Sequence, residues 1–166
     1  MAAVLVMPAQ AQQHPQTREG FWISFGIGYG SLGCEDCDDR RSGTNANLRM
    51  GGTLTQRLLI GGEINGWSKT ENDATLTVGN FGPVLLFYPN PNGGLFLKGG
   101  VGMANASLDV GSVDVDETGV GITIGIGFDA RVGRSFALTP YFDILAGNFD
   151  FGSTNQFAFG LGFTWP

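Results

Sequence analysis

Cys34-Glu-Asp-Cys37 is the motif with the plainest chemical meaning in this chain. Two cysteines at that spacing serve as a redox pair or as half of a zinc site. A redox pair needs a helix N-terminus or a nearby cation to lower the thiol pKa. Here Glu35, Asp36, Asp38 and Asp39 surround the thiols and would raise it. Zinc would need two more ligands, and the chain has only these 2 cysteines and 1 histidine, His14. A local Cys34–Cys37 disulfide in an oxidising compartment is therefore expected, with no metal and no cofactor. The acidic run also lacks the D-x-D-x-D-G spacing of a calcium loop, so it reads as solvated charge. His14 stands alone in a polar leader, and nothing assembles a nucleophile with a base. The sequence thus offers no catalytic residue, and a net charge of −6 gives no reason to expect a nucleic-acid partner.

The second set of chemically able residues is Arg49, Glu63, Lys98, Asp129, Arg131 and Asp143. All six fall inside stretches that alternate large apolar with small or polar residues, and all six share the parity of the small ones. They sum to zero charge. Gathered in one interior, they predict a paired plug, because buried charges must be compensated. The same six could instead line a narrow path for ions or protons.

The last such stretch, Gln156-Phe-Ala-Phe-Gly-Leu-Gly-Phe-Thr-Trp165, shows what holds them. Phe157, Phe159, Leu161, Phe163 and Trp165 lie on one face of a strand, and Ala158, Gly160, Gly162 and Thr164 on the other. The second face is too small for a solvated exterior. It fits the inside of a narrow barrel whose bulky face meets lipid. Composition agrees: 28 glycines in 166 residues and only 14% charged residues depart from soluble domains in the same direction. No apolar run approaches the length of a membrane helix, but barrel strands alternate and need none.

Gly160-x-x-Phe163-x-Trp165 resembles the C-terminal sorting signal of bacterial outer-membrane β-barrels. The resemblance implies that the barrel assembly machinery reads this strand and that it pairs with the first strand. In plan the chain from Gly20 to Trp165 is similar to small barrels of the OmpA and OmpX type, which implies a polar, side-chain-filled interior. Ahead of the barrel, 1–11 reads as the end of a signal peptide cut after Ala9-Gln10-Ala11, and 12–19 as a periplasmic leader.

Eight strands are predicted: Gly20–Gly30, Asn45–Leu54, Leu58–Ser68, Ala74–Tyr88, Leu95–Ser107, Thr118–Val132, Phe136–Gly147 and the closing strand. In the fourth, Leu76 and Val78 have one parity and Phe81, Leu85 and Phe87 the other, which predicts a bulge near Gly79–Pro83. Turns at 55–57, 89–94 and 133–135 would be periplasmic. Loops near 31–44, 69–73, 108–117 and 148–153 would face outside, holding eleven acids against Arg40, Arg41 and Lys69. Phe21, Tyr88, Phe136, Phe163 and Trp165 fall near periplasmic strand ends, as an interfacial girdle requires.

The expectation is an all-β, eight-stranded antiparallel up-and-down transmembrane barrel, monomeric, in the cell outer membrane with lipid as its partner. Its role would be structural or surface-interacting rather than enzymatic, with acidic loops displayed outside. A narrow porin-like channel is the alternative. A soluble lipocalin-like binder, suggested by the G-x-W in Gly20-Phe21-Trp22, is disfavoured because the face opposite the bulky one lacks the Lys and Glu of a solvated exterior.

Overall fold

The computed structural model describes residues 17–34, 39–110, 113–150 and 152–165. They form strands β1 (Phe21–Cys34), β2 (Arg41–Thr55), β3 (Leu58–Glu71), β4 (Ala74–Phe87), β5 (Leu95–Val110), β6 (Val113–Phe128, resuming as Ala130–Arg131), β7 (Ala137–Phe149) and β8 (Gly152–Trp165). Pairing of β6 with β7 keeps one register from Val120↔Asn148 to Ala130↔Leu138. The short piece is thus the same strand interrupted at Asp129. Pro140 falls opposite Phe128, just before the interruption, and has no N–H for the ladder.

Each strand pairs antiparallel with its chain neighbour, and β8 returns to β1 from Ile23↔Trp165 to Cys34↔Thr154. An eight-stranded antiparallel up-and-down barrel results. Closure leaves no unpaired edge, the condition for crossing hydrocarbon.

Alternation assigns the two surfaces. On β5 the outward column runs Leu95, Leu97, Gly99, Val101, Met103, and on β6 Phe128, Ile126, Ile124, Ile122, Val120; nearly all the large ones are exposed. Nine residues from Leu95 to Met103 match the ≈ 9–11 that a tilted strand needs to cross a bilayer. Above Met103 the outward column becomes Asn105, Ser107 and Asp109, while the inward-parity column becomes Ala106, which packs in the upper core, and then Leu108 and Val110, which are exposed. On β4 the inward Leu76 and Val78 join that core, and on β6 Asp116 and Thr118 stand outward. The strands leave the hydrocarbon without ending, and the sign of the alternation reverses with the medium.

This reversal corrects several sequence expectations. The outer segments 31–44, 69–73, 108–117 and 148–153 are largely strand: β1 reaches Cys34, β2 starts at Arg41, and β5 and β6 stay paired up to Val110↔Val113. The β3–β4 connection shrinks to Asn72-Asp73, both at positive φ (50° and 63°), as a two-residue type I′ hairpin requires. β4 has no bulge, since its register to β3 is unbroken from Leu58↔Phe87 to Glu71↔Ala74. Leu76 and Val78 point inward because they lie above the membrane, where the inside is the dry side. A register shift occurs instead at Thr53–Thr55, beside the turn after β2, at the end of the barrel that the sequence pattern assigns to the periplasm (the periplasmic end).

The interior is packed in layers. A lower apolar cluster joins Trp22, Leu59, Val84, Leu86, Tyr88 and Phe96, and an upper one joins Leu32, Trp67 and Val78 with Leu76 and Ala106 against them. Inward glycines make room for the large rings. A Cβ on Gly30 would meet the Trp67 indole at 2.7 Å, one on Gly26 the Tyr141 ring at 2.7 Å, and one on Gly127 would run into Phe96. Tyr88 is 1% exposed and belongs to this interior, so it drops out of the expected girdle. The outer aromatic patch is Phe25, Phe136, Phe163 and Trp165, with ring centroids 5.2–5.7 Å apart across the β7–β8–β1 seam.

Candidate functional site

The lumen between the two apolar clusters holds the charged side chains, and four of the six expected residues meet there. Lys98 on β5 is 4% exposed, and its ammonium donates to Glu63 Oε1 and Oε2 (2.9 and 2.7 Å) on β3 and to Asp143 Oδ2 (2.7 Å) on β7. Arg49 on β2 stands 3.9 Å from Glu63 and donates to Ser24 Oγ at 3.3 Å. Its guanidinium also lies between the Phe96 and Tyr141 rings, 5.6 and 6.0 Å from their centroids. Two cations face two carboxylates, all buried, so the layer is neutral. One lysine bridging two carboxylates across the bore satisfies charges that would each cost several kcal/mol alone.

Asp129 and Arg131 lie elsewhere, because they are the last inward positions of β6, beside the turn to β7. Asp129 accepts from Tyr88 (2.8 Å) and Thr139 (2.8 Å). The Thr164 hydroxyl lies 2.8 Å from Thr139 and 2.9 Å from Ser24, itself bonded to Arg49, and its one proton serves one of the two at a time. A hydrogen-bonded column therefore runs from the periplasmic end to the central ion layer. Arg131 donates outward from this column, to the carbonyls of Arg134 and Thr17.

A residue that alternation could not flag closes the periplasmic mouth. Arg18, just ahead of β1, is 3% exposed. Its guanidinium sits 3.4 Å from the Tyr88 ring centroid and donates to the carbonyls of Pro91 (3.1 Å) and Gly93 (2.6 Å). Its backbone exchanges two hydrogen bonds with the Gln56 amide. With the Arg131–Thr17 bond, two leader residues tie together the periplasmic turns after β2 and β4 and the end of β6. No strand pattern covers this segment, so only its isolated charge marks it in the sequence.

The extracellular end is sealed differently. Leu32, Trp67, Val78, Leu145 and Phe149 are buried there, and the Trp67 indole donates to the Gly30 carbonyl (3.1 Å). Above the central layer, Asn45 donates to Asn65 (2.8 Å) and accepts from Tyr141 (3.2 Å), and Asn80 donates to Thr123 (2.9 Å). Two small cavities of about 20 Å³ each, one near Arg18 and Trp22 and one near Val78 and Gln156, have room for about one water apiece.

At the outer rim, Arg40 grips the barrel seam, donating to Ser31 on β1 and Asn155 on β8 and lying 4.5 Å from the Phe157 ring centroid. Lys69 pairs with Glu71 at 3.0 Å, and the Lys69 ammonium holds the exposed Glu71 carboxyl below its ordinary pKa of 4.5. Asp109 and Asp116 stand on the β5 and β6 extensions. Cys34 ends β1, whereas Cys37 and the expected disulfide lie outside the described residues. On β8, Phe163 and Trp165 face outward in the aromatic patch, and Gly160 faces inward, where a Cβ would meet the Tyr141 hydroxyl at 2.6 Å.

An apolar outer belt, a closed sheet and a neutral, filled bore define an outer-membrane barrel anchored in lipid. The model of the outer membrane protein beta-barrel domain matches residues 1–165, and the chain belongs to that family; its place is the outer membrane. No protein of curated function matches its sequence. Among solved structures it is similar to Neisserial surface protein A (12% identity, 90% of this chain and 99% of that one, TM-score 0.74). It is also similar to Ail, the attachment invasion locus protein of Yersinia pestis (12%, 90% and 100%, 0.59). The N-terminal β-barrel domain of Pseudomonas aeruginosa OprF is a third (13%, 90% and 100%, 0.55). At these identities the likeness is one of fold.

Proposed function

We propose that the protein is a non-enzymatic, monomeric outer-membrane barrel with a structural and surface-interaction role, presenting acidic strand extensions outside the cell. The observation that carries this reading is the occluded lumen. Its central charges balance, with Lys98 bonded to Glu63 and Asp143, and both ends are closed by buried side chains, so the accessible chemistry lies at the extracellular rim. Membrane insertion through recognition of the β8 signal by the barrel assembly machinery belongs to the same reading, as do a signal peptide over 1–11 and a leader over 12–19.

Ail has been solved in complex with the heparin analogue sucrose octasulfate. The outer segments here carry a large excess of Asp and Glu, and Arg40, one of the few bases, is already bonded across the seam. Like charges repel across an interface. We therefore expect cationic partners rather than sulfated polyanions, with binding that weakens as salt rises.

A narrow channel is the less supported reading, since ions would have to displace Arg18 below and Trp67 with Leu32 above. Planar-bilayer recording of the refolded protein tests both. A barrel that shows heat-modifiable gel mobility yet stays silent supports the structural role. Reproducible single-channel steps altered by Lys98→Met would reverse the assignment.

A further inference from the structure

We propose that the outer wall over β3, β4 and β5 carries a fixed site for one lipid acyl chain. A groove of about 340 Å³ crosses the wall there, lined by Ile60, Pro83, Val84, Leu85, Gly99 and Val101, with Gly100. Pairing of β4 with β5 is continuous except at this place. It stops after Phe81↔Met103 and resumes at Val84↔Gly100. Pro83 has no N–H to contribute, and Gly82, Gly100 and Gly102 leave the inner side bare. The wall is reduced to backbone, which is why the inward-facing Val84 and Gly100 line a groove on the outside.

The position names the occupant. Phe81 and Met103 lie above the groove and Phe87 and Leu97 below it, all outward and exposed, so it opens inside the hydrocarbon band. At this depth the medium offers hydrocarbon chains and no water. Its size is at the small end of ligand sites, enough for part of one chain and too little for a headgroup. Apolar burial gives no net drive in lipid, so retention must come from close packing. An unfilled groove would forfeit those contacts along Ile60, Leu85 and Val101. The same height on β6 presents Ile122 and Ile124, the register partners of Val101 and Gly99. That ridge gives a chain no recess, so the site is local to β3–β5.

The test is photolabelling of the full chain, refolded in phospholipid vesicles that contain a phospholipid with a mid-chain diazirine, with the labelled residues mapped by mass spectrometry. Ile60, Leu85 and Val101 should be labelled several-fold more than the equally deep Ile122 and Ile124. Gly99→Leu should abolish that excess, because a side chain at Gly99 meets open space and fills the groove without disturbing the sheet. Gly66→Leu, which also enters open space but away from the groove, should leave the excess intact. Even labelling around the barrel, or an excess that survives Gly99→Leu, would overturn the site. Barrel-to-barrel cross-links at Val101 would also overturn it, by making a second copy the occupant.

Discussion

On β4, Phe81, Leu85 and Phe87 point away from the barrel axis, whereas Leu76 and Val78 point toward it and pack in the upper core. The backbone is the same paired strand throughout. What changes is the neighbour of the outer face, hydrocarbon below and water above. Sheets follow the medium: the apolar face seeks lipid where lipid is present, and the barrel interior where it is not. The two zones also fill their interiors differently. Within the membrane the inner face can be polar because Lys98 bonds both Glu63 and Asp143 and Arg49 brings the layer to neutrality. Above it, Leu32, Trp67, Val78 and Leu76 make a small apolar core of the ordinary soluble kind.

The largest effect should come from unbalancing the membrane zone's ion layer. Lys98→Met leaves two carboxylates against Arg49 alone, with Asp143 stripped of its cation, a loss of about 3–5 kcal/mol by the usual cost of breaking a buried pair. Urea unfolding in lipid vesicles should show it, and the double change with Asp143→Asn, which leaves Arg49 facing Glu63, should recover most of it. If the single variant is as stable as the parent, the layer is not a mutually compensated unit.

Next comes the upper core. Trp67→Ala removes a fully buried ring and should cost about 3–5 kcal/mol. Hydrogen exchange should rise first in the extracellular ends of β3 and β4 and spare the β5–β6 membrane span.

The boundary itself is tested by moving one charge across it. Ile124→Arg places a guanidinium at the lipid-facing midplane, for about 2–4 kcal/mol. Ser107→Arg, outward on the neighbouring strand but above the band, should stay within about 0.5 kcal/mol of the parent. Equal costs would mean that both positions see the same medium.

The periplasmic strap should have a smaller but local effect. Arg18→Ala removes a buried cation from the Tyr88 face, worth about 2 kcal/mol when desolvated, and opens the mouth. Acrylamide quenching of Trp22 should increase while Trp67 stays protected.

The smallest effect is at the outer rim. Lys69→Met should return the Glu71 pKa upward toward 4.5, as an NMR titration would read. The pair's contribution is present above pH 4.5 and fades as pH falls through the lowered native value. Both groups are largely solvated, so no measurable change in unfolding stability at neutral pH is expected.

Alternation made the membrane spans legible, and with them the inward parity of Arg49, Glu63, Lys98 and Asp143. It misread whatever lay beyond the boundary. Leu76 and Val78 looked like a bulge, and the ends of β1, β2, β5 and β6 looked like loops, because a pattern that reverses sign resembles one that ends. Tyr88 looked like a girdle residue because aromatics at strand ends usually are; the contact with Arg18 and Asp129 draws it inside. The sorting-signal residues Phe163 and Trp165 were legible as a motif, and their stacking against Phe25 and Phe136 arises only once the barrel closes.

By itself the sequence determined the fold class, the number of strands and which residues share a face. Those follow from local periodicity against two media, and each strand carries that information alone. Tertiary structure decided which charges meet and what seals each mouth. It gathered four charges at the centre, apart from Asp129 and Arg131, and it brought Arg18 under Tyr88. Such contacts join strands far apart in the chain, and their distances are set by register and closure, which no single strand encodes.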